Sequence, residues 1–180
     1  YEMRAVIEGL AFRKAAEHFT AAAKTRGERL LAAGREAVVK GSVAEMIAAD
    51  MAFHTFIYEL AGNPLIAPAM EAQWVNAQRV MGSVLLSADK PRDIWDEHEA
   101  MFNLVASGDG QRAEQAARKH LEEAADFMIE RMGDQCVNIA KLIPLSGHEP
   151  PVRRDVLQAL AKMGACARSE VAQCKAAFAA

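Results

Sequence analysis

Residues 42–64 read SVAEMIAADMAFHTFIYELAGNP. Ser42 followed three residues later by Glu45 is a capping box, the signature of a helix start. Ile47, Phe53, Ile57 and Leu60 then recur at helical spacing and form an inward face. Ala61-Gly62-Asn63-Pro64 closes the segment with a C-cap glycine and a breaker. One long helix is therefore predicted. Asp50 and His54, four residues apart on it, project from the same side and can address one point in space.

The same 3.6-residue period runs outward in both directions. A first helix is expected over about residues 1–18, with Met3, Val6, Ile7 and Leu10 on one face. It starts at full amplitude without a cap, as in a chain cut from something longer. A second covers about 20–39 and ends near Lys40-Gly41. The fourth, about 65–86, carries Trp74, Val75 and Met81. Residues 87–91 read as a turn, and Pro91 suits the first position of a fifth helix running through His98 to about Ala106. Ser107-Gly108-Asp109-Gly110 is a loop, and a sixth helix is expected from Gln111 to Met132, ending at Gly133. Past that point Pro144, Gly147, Pro150 and Pro151 mark an irregular connection. Val156, Leu160, Met163, Val171, Cys174 and Phe178 then predict a final amphipathic helix. No segment alternates long enough to argue for a strand. The expected fold is all-α: an antiparallel bundle of six to seven helices over residues 1–133, with a C-terminal extension, 134–180, containing the amphipathic helix.

The 180 residues suffice for one buried core, and a net charge of −3 supplies no electrostatic footprint for nucleic acid. No stretch approaches the roughly 20 apolar residues of a membrane span, and the start lacks a signal-peptide layout. Cys136, Cys166 and Cys174 are odd in number and lack zinc-ribbon spacing, which suits reduced thiols and a cytoplasmic location.

His98 and His120 lie on two further helices, beside the inward residues Met101, Phe102 and Leu121. A bundle interior is where facing helices supply metal ligands. Three imidazoles and a carboxylate from Asp50, His54, His98 and His120 suit Zn, Ni, Fe or Mn, without choosing among them. Taken singly, each is an ordinary helical residue. Glu-x-x-His, His-Glu-x-x-His, a Gly-rich phosphate loop and a Gly-x-Ser-x-Gly elbow are all absent, so no catalytic residue is assigned. Arg4 sits at the edge of the first helix's apolar face, and Arg79 lies among apolar residues with Asn76 and Gln78 nearby. Each arginine suits a carboxylate, or else an internal pair such as Arg4 with Glu8. His18 reads as a dipole partner at the end of the first helix. Trp74 and Trp95 read as core.

YEMRAVIEGLAFRKAA, DMAFHTFIYELAGNP, RDIWDEHEAMFNLVASGD and AARKHLEEA, in that order, resemble successive segments of the FCD domain. This is the C-terminal effector-binding domain of FadR-subfamily regulators in the GntR family. The resemblance covers about residues 1–132. It implies that Asp50, His54, His98 and His120 hold a divalent ion, that a small carboxylate effector docks on or near it, and that Arg4 assists; Arg79 and Asn76 remain further candidate contacts on the reading of the residues alone. It also implies a homodimer whose DNA contact is made by an N-terminal winged helix-turn-helix, a domain that precedes the part matched by this sequence. Two other readings stay open: a small metalloenzyme acting on an organic acid, and a metal-free dimerisation module.

Overall fold

In a computed structural model, residues 1–86 and 94–142 are described. Pro91, Cys166, Cys174, His148 and the amphipathic helix expected over 156–178 lie outside them. Among the described residues six helices follow one another: α1 Glu2–Glu17, α2 Ala21–Lys40, α3 Val43–Leu60, α4 Ile66–Leu86, α5 Trp95–Ala106 and α6 Gly110–Leu142. The fold is all-α, with no strand among the described residues.

The caps explain the boundaries. Thr20 and Ser42 have extended backbones, and their hydroxyls accept from the Ala23 and Glu45 amides, satisfying donors that the first helical turn leaves free. The Glu45 carboxylate turns to Lys40, 3.6 Å away. Gly41 ends α2 at φ 71°, a left-handed conformation that only glycine adopts without strain. His18 closes α1, its ring nitrogen 3.1 Å from the Lys14 carbonyl oxygen. Asp109 opens α6 by accepting from the Arg112 amide.

Contacts divide the chain into two units, Tyr1–Glu123 and Ala124–Ala180. In the first, α3 packs on α1, α2 and α4, and α5 packs on α1 and α2. Phe12, Phe53, Phe56, Ile57, Met70, Trp95, Met101 and Phe102 fill the core between them. Close approach of α2 and α5 depends on missing side chains. A Cβ at Gly27 would lie 2.2 Å from the Phe102 ring, and one at Gly34 would lie 2.0 Å from the Trp95 ring. These glycines present bare backbone on which the α5 aromatics lie.

Two expectations need correction. The first concerns α1, whose expected apolar face is not the buried one: Met3 is 63% and Val6 53% exposed and Ile7 and Leu10 only half-buried, while Arg4 and Glu8 are buried beside Ala5, Ala11, Phe12 and Ala15. The helix is rotated so that its ion pair points inward, where that pair has partners. The second concerns α6, which runs through Gly133 to Leu142. A glycine inside a helix costs only about 1 kcal/mol relative to alanine. It terminates a helix only where the chain also turns into the left-handed conformation, and no positive φ occurs at Gly133. Ile47 and Leu60 are half-buried, and Val75 is exposed; Met46, Phe56 and Tyr58 take more of the inward face of α3 and Trp74 and Met70 that of α4.

Candidate metal centre

His54 on α3, His98 on α5 and His120 on α6 converge in the first unit. All three are buried, and one nitrogen of each lies within 4.8 Å of the others. His54 and His98 approach through their Nε2 atoms, 3.3 Å apart. Asp50, one turn before His54, places Oδ1 3.4 Å from His98 Nε2 and 3.8 Å from His54 Nε2. That oxygen is buried and takes part in no hydrogen bond among the described residues. An ion held at about 2.0–2.1 Å by each ligand separates neighbouring donor atoms by roughly 3.0–3.4 Å; the His54–His98 and Asp50–His98 spacings match this, Asp50–His54 at 3.8 Å is a little wider, and the donor types suit a divalent cation.

Aromatic packing holds the rings in place. His98 stacks on Phe53 at 4.7 Å and meets Trp95 edge-on at 4.8 Å, and His54 meets Phe53 edge-on at 5.7 Å. Carboxylates hold the outer nitrogens. His120 Nδ1 lies 2.7 Å from Glu97 Oε2, and His54 Nδ1 contacts Glu8 Oε2. A ring that donates from Nδ1 to a carboxylate keeps its Nε2 lone pair for the cluster, the arrangement usual for metal-binding histidines.

Arg4 lies behind this layer. Its Nε donates to Glu8 Oε1 at 2.9 Å, and its guanidinium lies 4.5 Å from the Trp74 ring centroid and 5.2 Å from that of Tyr1. Burial disfavours the Arg4 charge, but Glu8 outweighs it and raises the pKa. The same holds for Glu8: burial pushes its carboxyl up, yet the His54 imidazole and Arg4 bring it down to about 2. The Tyr58 hydroxyl and the Trp74 indole nitrogen, beside the His54 ring, are buried without a hydrogen-bond partner among the described residues. Burial raises the Tyr58 pKa and keeps that hydroxyl a donor.

Asn76 and Arg79 stand apart. The buried residues of α4 include Ile66, Met70, Trp74, Ala77, Met81 and Val84, and Asn76 and Arg79 fall between them in helical phase, on the exposed face. No contact joins either to the histidine cluster among the described residues. Glu8 and Glu97 escaped the reading of the sequence as site residues. Their only signals were the Arg4–Glu8 spacing of four and the adjacency of Glu97 to His98.

The family model that matches this chain is that of the FCD domain, over residues 1–123, a span containing all four candidate ligands, Arg4 and Glu8. The chain belongs to the FCD family. FCD domains are the effector-binding domains of GntR-type transcription regulators, which are not enzymes. Neither a curated protein nor a solved structure matches the chain. No helix among the described residues of this FCD domain is long and apolar enough to cross a membrane.

The Glu8–His54 contact gives the FCD domain a defined pH response. Burial opposes charge on His54, but Glu8 prevails and raises its pKa above 6.5. A raised pKa contributes stability that is complete below 6.5 and lost as pH rises through the folded value. The lowered Glu8 pKa contributes stability that is complete above 4.5 and lost as pH falls towards about 2. Chelator-treated protein is therefore expected to melt highest between those limits, with Tm falling on the alkaline side. Adding a divalent ion removes the alkaline fall, because the ion takes the place of the His54 proton. Melting curves from pH 4 to 9, with and without metal, check this; a chelated Tm that keeps climbing above pH 7 contradicts it.

Proposed function

We propose that residues 1–123 form a sensor that captures a small organic acid at a divalent ion held by Asp50, His54, His98 and His120, and so controls DNA binding by a winged-helix domain of the same regulator. The observation carrying this reading is the Asp50 carboxylate oxygen, buried without a hydrogen bond and facing two imidazole nitrogens. A buried carboxylate oxygen left unsatisfied is costly, and a cation in the gap supplies what it lacks. Bound there, a divalent ion would offer Lewis-acid coordination to a carboxylate and a neighbouring hydroxyl.

Arg4 fits the remaining charge of such an acid, since its bond to Glu8 uses Nε and leaves the outer edge of the guanidinium outside that pair. The Tyr58 hydroxyl and Trp74 indole are two further donors in search of an acceptor. Asn76 and Arg79, on the exposed face of α4, enter only for an effector that extends beyond the buried cluster. Zn, Ni, Fe and Mn all suit the donors, and the regulator acts as a homodimer in the cytoplasm under this reading. Binding shifts the domain between two states by no more than the acid's difference in affinity for them.

The test is a panel of 2-hydroxy acids, dicarboxylates and sugar acids, scored in parallel by melting temperature and by product formation. One class is expected to raise Tm only when metal is present, with the acid recovered unchanged. Turnover of the acid would favour a metalloenzyme instead. A Tm indifferent to both chelator and acids would favour a structural, dimerising role.

A further inference from the structure

We propose that Glu8 is a positioning residue for the ion site, holding His54 in its ligating form and tying Arg4 to it through a single carboxylate. The inference rests on the proposed metal site and goes one layer beyond it. Glu8 is fully buried on α1, and its two oxygens have different partners: Oε1 accepts from Arg4 Nε at 2.9 Å, and Oε2 contacts His54 Nδ1. The carboxylate therefore dictates which nitrogen of His54 carries a hydrogen. With Nδ1–H directed at Glu8, Nε2 points to Asp50 and His98 with its lone pair free.

The rotation of α1 argues that this arrangement is selected. Burying two ionised side chains costs several kcal/mol each before their mutual attraction is counted. Turning the helix to bury Met3 and Val6 instead would avoid that cost, yet both remain more than half exposed. Phe12, Ala11 and Ala15 share the buried face, so the turn of α1 that buries them also carries Arg4 and Glu8 inside, and it is the partners there that make this burial of charge tolerable. Those partners are His54, a candidate ligand, and Trp74, on which Arg4 lies. Because one carboxylate serves both, a change on the Arg4 side is felt at His54: Arg4 fixes the carboxylate through Oε1, and its loss leaves Glu8 freer to turn away from the imidazole.

The experiment titrates chelator-stripped protein with Co(II) against a competing chelator, in the wild type, Glu8→Gln, Arg4→Ala and the double variant. Glu8→Gln is expected to weaken Co(II) binding about 10- to 100-fold, the usual effect of removing a carboxylate that orients a metal-bound histidine. Arg4→Ala should weaken it less, and should add little in the Glu8→Gln background, because its influence passes through Glu8. Heteronuclear NMR of the metal-free protein, recorded at a pH above the loss of the second His54 proton, supplies a readout that loss of packing would not produce: the neutral His54 ring should leave its single Nδ1–H form in Glu8→Gln. Should that variant fail to fold, Glu8→Asp, which keeps the charge but withdraws it by one methylene, carries the same test with a smaller loss expected. A folded Glu8→Gln that binds Co(II) within twofold of wild type, with the His54 tautomer unchanged, overturns the proposal while leaving the ion site standing. Wild-type protein that binds no Co(II) overturns the ion site itself, and this proposal with it.

Discussion

Protein purified from cells is expected to carry close to one divalent ion per chain, and His98→Ala to carry less than a tenth of that. His98 is the residue on which the cluster turns: its Nε2 lies 3.3 Å from His54 Nε2 and 3.4 Å from Asp50 Oδ1. Without it Asp50 and His54 face a gap, and the remaining donors no longer close a coordination shell. The change also shows in stability. An ion present at about a hundred times its Kd stabilises the folded state by roughly 2.7 kcal/mol, which for a chain of this size is on the order of 5–10 °C in Tm. Chelation should lower the wild-type Tm by that amount and leave the Tm of His98→Ala where it was. Because His98 is packed against Phe53 and Trp95, alanine also costs core contacts. Asp50→Asn separates the two effects, since it keeps the volume and removes the charge. Elemental analysis and paired melting curves check both variants; wild-type Tm insensitive to chelator would mean the histidines serve the core alone.

The second large effect is expected one intervening side chain away from a candidate ligand, at Gly34→Ala, whose neighbour Trp95 packs on His98. The added methyl carbon would sit 2.0–2.2 Å from three atoms of the Trp95 ring, closer than any non-bonded carbon pair tolerates. The ring cannot yield easily, because it is buried and wedged edge-on against both Phe53 and His98. Helices α2 and α5 must therefore separate, at a cost of about 3 kcal/mol or more. The displaced Trp95 would also push His98, so the variant should lose metal affinity together with stability. Gly82→Ala is the contrasting case. A Cβ there meets no described atom within 4 Å, and Gly82 lies inside α4, so alanine is expected to stabilise by about 0.5–1 kcal/mol. Denaturant melts of the two variants test the pair: similar behaviour would mean that helix propensity, and not the α2–α5 approach, governs both positions.

Much of the fold could be read residue by residue. Capping at Ser42 and the stop at Ala61-Gly62 follow from local hydrogen bonding, which a short window contains in full. The candidate ligands were legible for a related reason: Asp50 and His54 share a face through helical geometry alone, and His98 and His120 sit next to core residues. Other features resisted local reading. The end of α6 was placed at Gly133 because glycine signals a stop only on average, and nothing within one turn says whether the chain goes on. The orientation of α1 was misread because apolar count was the only local guide, whereas the charged pair buried there is stabilised by residues more than forty positions away. Asn76 and Arg79 were drawn into the candidate site by their neighbours in sequence, and the phase of α4 turns both outward. The tight α2–α5 contact was equally invisible, since a helical glycine reads as a weakness until an aromatic ring is seen lying on it.

By itself, then, the sequence determined an all-α chain of capped helices, its family, and four residues able to address a common point, since all of these depend on spacing along one strand of chain. The tertiary structure decided which face of α1 is buried, that Glu8 and Glu97 stand behind two of the three imidazoles, and that bare backbone on α2 receives the α5 aromatics. Those features are pairings between distant segments, and their free energies depend on distance and desolvation, quantities that exist only once the helices have packed.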